Sequence, residues 1–225
     1  MSPIGVYIRM QRLISFNIAF ILLALSALFG RAQSGASFTA KVIRVTGVAR
    51  YSVGGQPWQT LKAGDVLAPG TLVQTAKTKA SVEIQFGTSG VADANIVRLL
   101  DDTALEIKKL STQGTGADRT EEIELDLRAG QMLGAVKKFK EGSSYQIMLP
   151  GGAAGLRADA ADSRGIVYTL KPSGALAVLA GKVAIAIASE NTVAQVVVAE
   201  QQFDPATGQV TKLAQDAPER KLFRF

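Results

Sequence analysis

The feature that most constrains this chain is a period-two alternation of apolar and polar residues, renewed again and again and broken each time by glycine. Ser81-Val82-Glu83-Ile84-Gln85-Phe86 sets Val82, Ile84 and Phe86 on one side of an extended strand, and Ile123-Glu124-Leu125-Asp126-Leu127 repeats the design. Segments of the same kind cover residues 41–45, 47–51, 96–99, 105–108, 145–149, 165–170, 175–179, 183–187 and 192–198. A segment of this period buries one face of a sheet, whereas a helix would scatter the same side chains around its axis. No long window keeps an i, i+3, i+4, i+7 stripe between proper caps. The Ala-rich residues 153–161 are flanked or broken by Gly151, Gly152 and Gly155, which disfavours a helix there. The expectation is an all-β chain, a single domain of about twelve short strands, built as a β-solenoid-like fold or a curved β-sandwich.

A local motif recurs at the turns. Leu61-Lys62-Ala63-Gly64-Asp65-Val66, Leu127-Arg128-Ala129-Gly130-Gln131-Met132 and Val178-Leu179-Ala180-Gly181-Lys182-Val183 share an apolar start, an Ala-Gly step, one polar residue and an apolar return. Such a step predicts a corner at which glycine takes a positive φ between two strands. Asp101-Asp102 reads as another tight turn, because aspartate favours turns and adjacent strand residues would point their carboxylates to opposite faces.

The first residues have a different character. Arg9 and Arg12 precede an apolar run over residues 13–29, interrupted only by Ser15, Asn17 and Ser26, and Gly30 and Ala32 offer small residues at a cleavage site. This is the pattern of a secretory signal peptide over residues 1–32. The alternative is an uncleaved anchor, for which the run has the minimum length. Either way residues 33–225 are expected outside the cytoplasm, in the periplasm or another extracytoplasmic space. The β domain is expected over residues 38–200, with 201–225 as a C-terminal extension.

Composition narrows the chemistry. The chain has no Cys and no His. Thiol nucleophiles, His-based triads and thiolate or imidazole metal sites are therefore excluded, and no disulfide can form. The formal net charge is +6, and Arg9, Arg12 and Arg31 supply three of those charges in a first segment that holds no acid. The +3 that remains is spread along a whole domain, so no nucleic-acid partner is expected. Asp159 and Asp162 lack the spacing of a calcium loop. Ser143 and Ser144, near Lys137, Lys138 and Lys140, sit in a polar turn where no lysine would be desolvated into a base. The expectation is no enzyme, no catalytic residue, no metal and no cofactor. Trp58 is the only Trp, between Pro57 and Gln59. It is either a core-edge residue or an exposed platform for a partner side chain or a sugar. The aromatic-ending tail 221–225 has some alternation, but with 14 aromatic residues in the whole chain the girdles of a membrane barrel are not expected.

The order of motifs resembles the FecR-domain family of bacterial envelope proteins. Val45-Thr46-Gly47-Val48-Ala49 is followed by Leu61-Lys62-Ala63-Gly64-Asp65-Val66-Leu67, then by Gly70-Thr71-Leu72-Val73-Gln74-Thr75 and the alternating strand 81–86. Residues 96–100, Thr103-Ala104-Leu105 and the Ala129-Gly130 corner continue the likeness, as do residues 145–150, Gly155-Leu156-Arg157 and Gly181-Lys182-Val183. Where the family usually has R-G-T, this chain has Arg157-Ala158-Asp159, so the turn there is expected to differ, positive φ being costly without glycine. The resemblance implies an extracytoplasmic β domain for sensing or scaffolding, without catalysis, with an envelope protein as partner. It does not imply a sigma-factor regulator, because only about a dozen residues precede the apolar run, too few to fold. The residues expected to contact a partner are Trp58, Arg157 and Asp159. The runner-up reading is a binder of peptidoglycan or another envelope glycan, and membrane contact is expected only through the first segment.

Overall fold

Two open sheets account for almost all of the regular structure. In the computed structural model the described residues are 38–88, 95–114, 119–136, 141–156, 165–187 and 194–222. In chain order the strands are β1 (Phe38–Thr46), β2 (Ala49–Val53), β3 (Gln59–Thr60), β4 (Val66–Leu67), β5 (Thr71–Thr75), β6 (Ser81–Thr88), β7 (Asn95–Leu99), β8 (Ala104–Gln113) and β9 (Thr120–Ala129). They continue with β10 (Met132–Val136), β11 (Ser144–Leu149), β12 (Gly152–Leu156), β13 (Ile166–Leu170), β14 (Leu176–Ala180), β15 (Lys182–Ile187), β16 (Gln195–Val198), β17 (Gln201–Asp204) and β18 (Gln209–Lys212). One short helix, α1 (Pro218–Leu222), follows. Among the described residues no helix is long and apolar enough to cross a membrane. The expected signal peptide, residues 1–32, lies outside the described residues.

The first sheet runs β4-β1-β6-β7-β10-β13-β14-β17-β18 and the second β3-β2-β5-β8-β9-β11-β12-β15-β16. Each sheet has two terminal strands, so neither closes into a barrel. After the first strands the order in both sheets follows the order of the chain. The chain lays one or two strands in one sheet, crosses, lays one or two in the other, and advances along both together. Neighbouring strands are antiparallel except β9 and β11, which are parallel because β10 leaves for the opposite sheet between them. The architecture is a β-sandwich, with the progression of a solenoid.

One core lies between the sheets. Val82, Ile84 and Phe86 of β6, Leu105 and Ile107 of β8, and Ile123, Leu125 and Leu127 of β9 all point into it and are fully buried. Those are the apolar positions of the alternating segments, and burying each such side chain stabilises by about 1.5–3 kcal/mol. Tyr145 of β11 and Tyr168 of β13 meet inside this core, hydroxyl to hydroxyl, at 3.4 Å.

The repeated Ala-Gly corners are where the chain changes sheets. Gly64 (φ 96°) lies between β3 and β4, Gly130 (φ 79°) between β9 and β10, and Gly181 (φ 75°) between β14 and β15. At Gly130 the fit is also tight, since an added Cβ would collide with Thr103. The Asp101-Asp102 turn is present too. Asp102 has φ 52°, and Asp101 Oδ1 accepts the backbone N–H of Ala80 at 2.5 Å.

The described residues form eighteen strands rather than about twelve. β3 and β4 are two residues long, too short for a periodicity to register. β10 is buried on both faces at Met132 and Leu133, so its sequence does not alternate. β12 is Gly- and Ala-rich and takes its strand state from its neighbours, β11 and β15. Residues 201–222 also take part in the fold. β17 and β18 extend the first sheet, and Leu213 and Ala217 pack on Ala177 and Leu179. Because Leu176 and Val178 of the same strand face the main core, this packing lies on the outer face of the first sheet. There the Leu222 carbonyl accepts a hydrogen bond from Arg98 at 3.4 Å, and Arg98 in turn is paired with the buried carboxylate of Glu83 at 2.7 Å.

Candidate functional site

The site is assembled at the end of the sandwich where β3 and β4 are the terminal strands. β2 and β5 pair there with Arg50 opposite Gln74. The β2–β3 turn is drawn back over its own strand by two bonds, Gln56 N–H to Val53 O at 3.0 Å and the Ser52 hydroxyl to Gln56 O at 2.5 Å, and Gly54 N–H to Gly70 O at 3.0 Å ties it to the start of β5. That fold-back sets Trp58 against Arg50, with the guanidinium carbon 4.4 Å from the ring centroid. Arg50 is held from its other side by Gln74, whose Oε1 accepts from Nε at 3.1 Å and Nη2 at 2.9 Å. Tyr51 donates to Gln59 Oε1 at 3.1 Å. A cation over an aromatic face at an exposed position is worth about 0.5–1 kcal/mol. Its larger effect is to hold the indole in place while Trp58 stays 41% exposed.

Arg50 and Gln74 also form one wall of a cleft of 380 Å³ whose lining includes Val48, Lys77, Asp102 and Thr103. The floor is rigid. Thr75 donates to Leu100 O at 2.6 Å and accepts from the Thr103 N–H at 2.9 Å, and the Thr103 hydroxyl accepts from the Gln131 N–H at 3.1 Å. Asp102 is fixed by its own N–H on Ala76 O at 2.8 Å. Lys77 and Asp102 are exposed, so the cleft presents one charge of each sign beside an arginine and an amide.

Exposed apolar residues are frequent on the strands at this end of the two sheets. Seven large hydrophobic residues are exposed among the described residues, and Ile43, Val48, Val53, Trp58 and Val66 are five of them. All five belong to β1, β2, β4 or the turns that join these strands. Val48 and Val66 are more than half exposed, at 70% and 62%. Leu61, between β3 and β4, and Leu67 of β4 turn inward there and join the core.

No protein-family model, curated protein or solved structure matches this chain. This surface offers an aromatic ring, a braced arginine, exposed Val48 and a small polar cleft.

Elsewhere the ionisable groups are used structurally. A polar cavity of 230 Å³ is lined by Ser111, Glu121, Glu122 and Ser144 among others. Partial burial raises the Glu121 carboxyl above its ordinary range, and Arg119 at 3.9 Å acts against that shift. Glu122 is held low by a hydrogen bond from Lys109, 2.8 Å away. Arg128, bound to both Glu106 and Asp126, is raised chiefly by its bond to Asp126. Among the described residues no group of three or more carboxylates is placed to hold a metal.

Of the three residues expected to meet a partner, Trp58 is on the surface and at the centre of this site. Arg157 and Asp159 lie outside the described residues. Sequence reasoning did not find Arg50, Gln74 or Val48. Arg50 and Gln74 are 24 residues apart and converge only through the register of β2 with β5. Val48 looks like an ordinary strand position, and nothing local marks it as lining a cleft with Arg50.

Proposed function

We propose that this chain is an exported, non-catalytic envelope protein of the FecR-domain type, an interaction or scaffold module that holds a protein partner on the apolar end around Trp58 and Arg50. The observation that carries the reading is exposed Trp58 braced by Arg50, with exposed Val48 lining the same cleft as that arginine. Tryptophan and arginine are the residues that most often dominate binding at protein interfaces, especially when a ring of other contacts excludes water from them. Apolar surface of this kind is otherwise a liability on a soluble domain. The arginine-led apolar run before Gly30 and Ala32 supports export, and the order of Gly and apolar motifs over residues 40–200 supports the FecR-type assignment.

The test is photo-crosslinking in intact envelopes from a reactive side chain at Val48, which lines the cleft with Arg50. A discrete adduct is expected, and Trp58→Ala should remove it while leaving the melting temperature unchanged. Absence of any adduct, or one indifferent to Trp58→Ala, sinks the proposal.

A second reading has its own support. The 380 Å³ cleft is lined by Arg50, Gln74 and Asp102, a mixture suited to the hydroxyl and amide groups of an envelope glycan such as peptidoglycan, and Arg50 carries the Trp58 ring outside the lining. Retention of the protein on isolated sacculi at high salt, lost in Trp58→Ala, would favour this reading over the first. Retention lost at modest salt would mean only diffuse attraction of a basic protein to an anionic polymer.

A further inference from the structure

On the outer face of the second sheet the basic side chains of β8 and β9 are matched by acids. Arg128 is paired with Glu106 and Asp126, Lys109 with Glu122, and Lys108 with Glu106. Arg50 of β2 lies on the same face, since Ala49 before it turns into the core. It stands in no ion pair among the described residues, and neither do Lys77 and Asp102, which line the cleft with it.

What holds Arg50 is neutral. Gln74 Oε1 accepts from Nε and Nη2, and the guanidinium carbon lies over the Trp58 ring. A guanidinium carries five N–H groups in a fixed fork. Gln74 takes one on Nε and one on Nη2. The end-on fork, one hydrogen on each of Nη1 and Nη2, has no protein partner. The amide therefore fixes the direction of the fork and leaves its charge uncompensated. An end-on fork matches the two oxygens of a carboxylate, and a braced one loses little freedom when they arrive. The ground beside it is low, because Gln74 is in register with Ala104, and Ala104 with Ala129, and all three line the cleft. Arg50 and Lys77 against Asp102 give the cleft an excess of one positive charge. Repulsion from Asp102 grows with the charge of the ligand, so a monoanion suits the cleft better than a phosphate does.

We propose that this cleft clamps a carboxylate, held end-on by Arg50 with Lys77 beside it, and that the carboxylate is an acidic side chain of the protein partner. The proposal rests on the protein-partner reading above and names what that partner must present. Exposed Val48 in the cleft and exposed Trp58 behind the arginine favour a protein segment, whose apolar side chains flank its acid, over a glycan strand.

Trp58 is the only tryptophan of the chain, so its emission reports on the clamp. The detergent-solubilised full chain is titrated with a glutamate hexapeptide blocked at both ends. A saturable change in emission is expected, and none with the blocked glutamine hexapeptide. Arg50→Lys keeps the charge and loses the fork, and should weaken binding by at least about tenfold. Gln74→Glu leaves the arginine in place and neutralises it from the bracing side. It should weaken binding similarly, with the melting temperature unchanged or raised. No saturable change, or wild-type affinity in Arg50→Lys or Gln74→Glu, overturns the clamp. Saturation by soluble peptidoglycan fragments but not by the glutamate peptide moves the carboxylate to the glycan and overturns the protein-segment assignment. Crosslinking from Val48 in envelopes separates this proposal from the reading beneath it. Loss of the adduct in Arg50→Lys supports the clamp, and an adduct indifferent to Arg50→Lys overturns it while the partner reading stands. Absence of any adduct alongside saturable glutamate binding defeats the partner reading and leaves the carboxylate site.

Discussion

Replacing Gly134 by alanine should be among the most damaging single-methyl changes in this protein, and the reason is one tyrosine ring. Gly134 lies in the middle of β10, in register with Val97 on one side and Tyr168 on the other. A Cβ built there would come closer than 3.0 Å to Cε1, Cζ and the hydroxyl oxygen of Tyr168. Tyr168 is fully buried and bonded to the Tyr145 hydroxyl, so the ring cannot swing aside without giving up its place in the core. Overpacking a dense core costs about 1–3 kcal/mol. Loss of the hydroxyl contact adds about 0.5–1.5 kcal/mol. A total near 3 kcal/mol corresponds to a melting temperature lower by about 6–12 °C in a domain of this size. Gly134 is not at a positive φ, so the penalty is steric and belongs to the ring. That makes it removable. Tyr168→Ala alone should cost about 3–5 kcal/mol through the cavity it leaves. In that background Gly134→Ala should become neutral, or stabilising by about 0.5–1 kcal/mol, because alanine restricts the unfolded strand more than glycine does. Urea denaturation of the two single variants and the double variant gives the coupling directly. Equal costs for Gly134→Ala in both backgrounds would refute the ring as the obstacle.

Two further outcomes follow from buried polar groups. Burial raises the hydroxyls of Tyr145 and Tyr168 above the ordinary tyrosine range, with Tyr145 also pushing Tyr168 upward. A folded value above the unfolded one means the contribution to stability is full below about pH 10 and is lost as pH climbs toward the folded values. These two phenols should therefore ionise only as the protein unfolds, with their tyrosinate absorbance rising together with loss of the β circular-dichroism signal. Full ionisation of all tyrosines with the fold intact would contradict this. On the outer face of the first sheet, Glu83→Ala should cost about 1.5–3 kcal/mol in urea denaturation, because the half-buried Arg98 loses the carboxylate it pairs with. Removing both residues should cost less than removing Glu83 alone, and the reverse order would show that the pair is not acting through charge.

The alternating strands were legible because their signal is local. Residues 81–86 and 123–127 announce both the strand and the face that is buried, and β6 and β9 bury those faces as expected. The Ala-Gly corners were legible for a similar reason, since a positive φ is a property of one residue, and Gly64, Gly130 and Gly181 all adopt it. That these corners also mark the passage from one sheet to the other could not be read, because it depends on where the next strand finds a partner. β10 and β12 were hidden, the first by burial on both faces and the second by its weak strand formers. Trp58 could be named from the sequence as the single tryptophan of a Pro-containing turn. The guanidinium that braces it could not, since Arg50 reaches the ring through the fold-back of the turn and reaches Gln74 through a strand register.

The winding of the chain also bears on how it reaches this state. A sandwich with long crossovers must bring distant segments together before any sheet is complete, and such closures slow folding. Here, past the first few strands, each strand is laid next to one placed shortly before it in its own sheet, on a core face already begun by the opposite sheet. Structure can then spread from strand to strand, as in a linear array of repeats. A polypeptide emerging from its N-terminus could consolidate in the order in which it is made, and a copy of one corner with its two strands could be added at the far end without disturbing any pairing already formed.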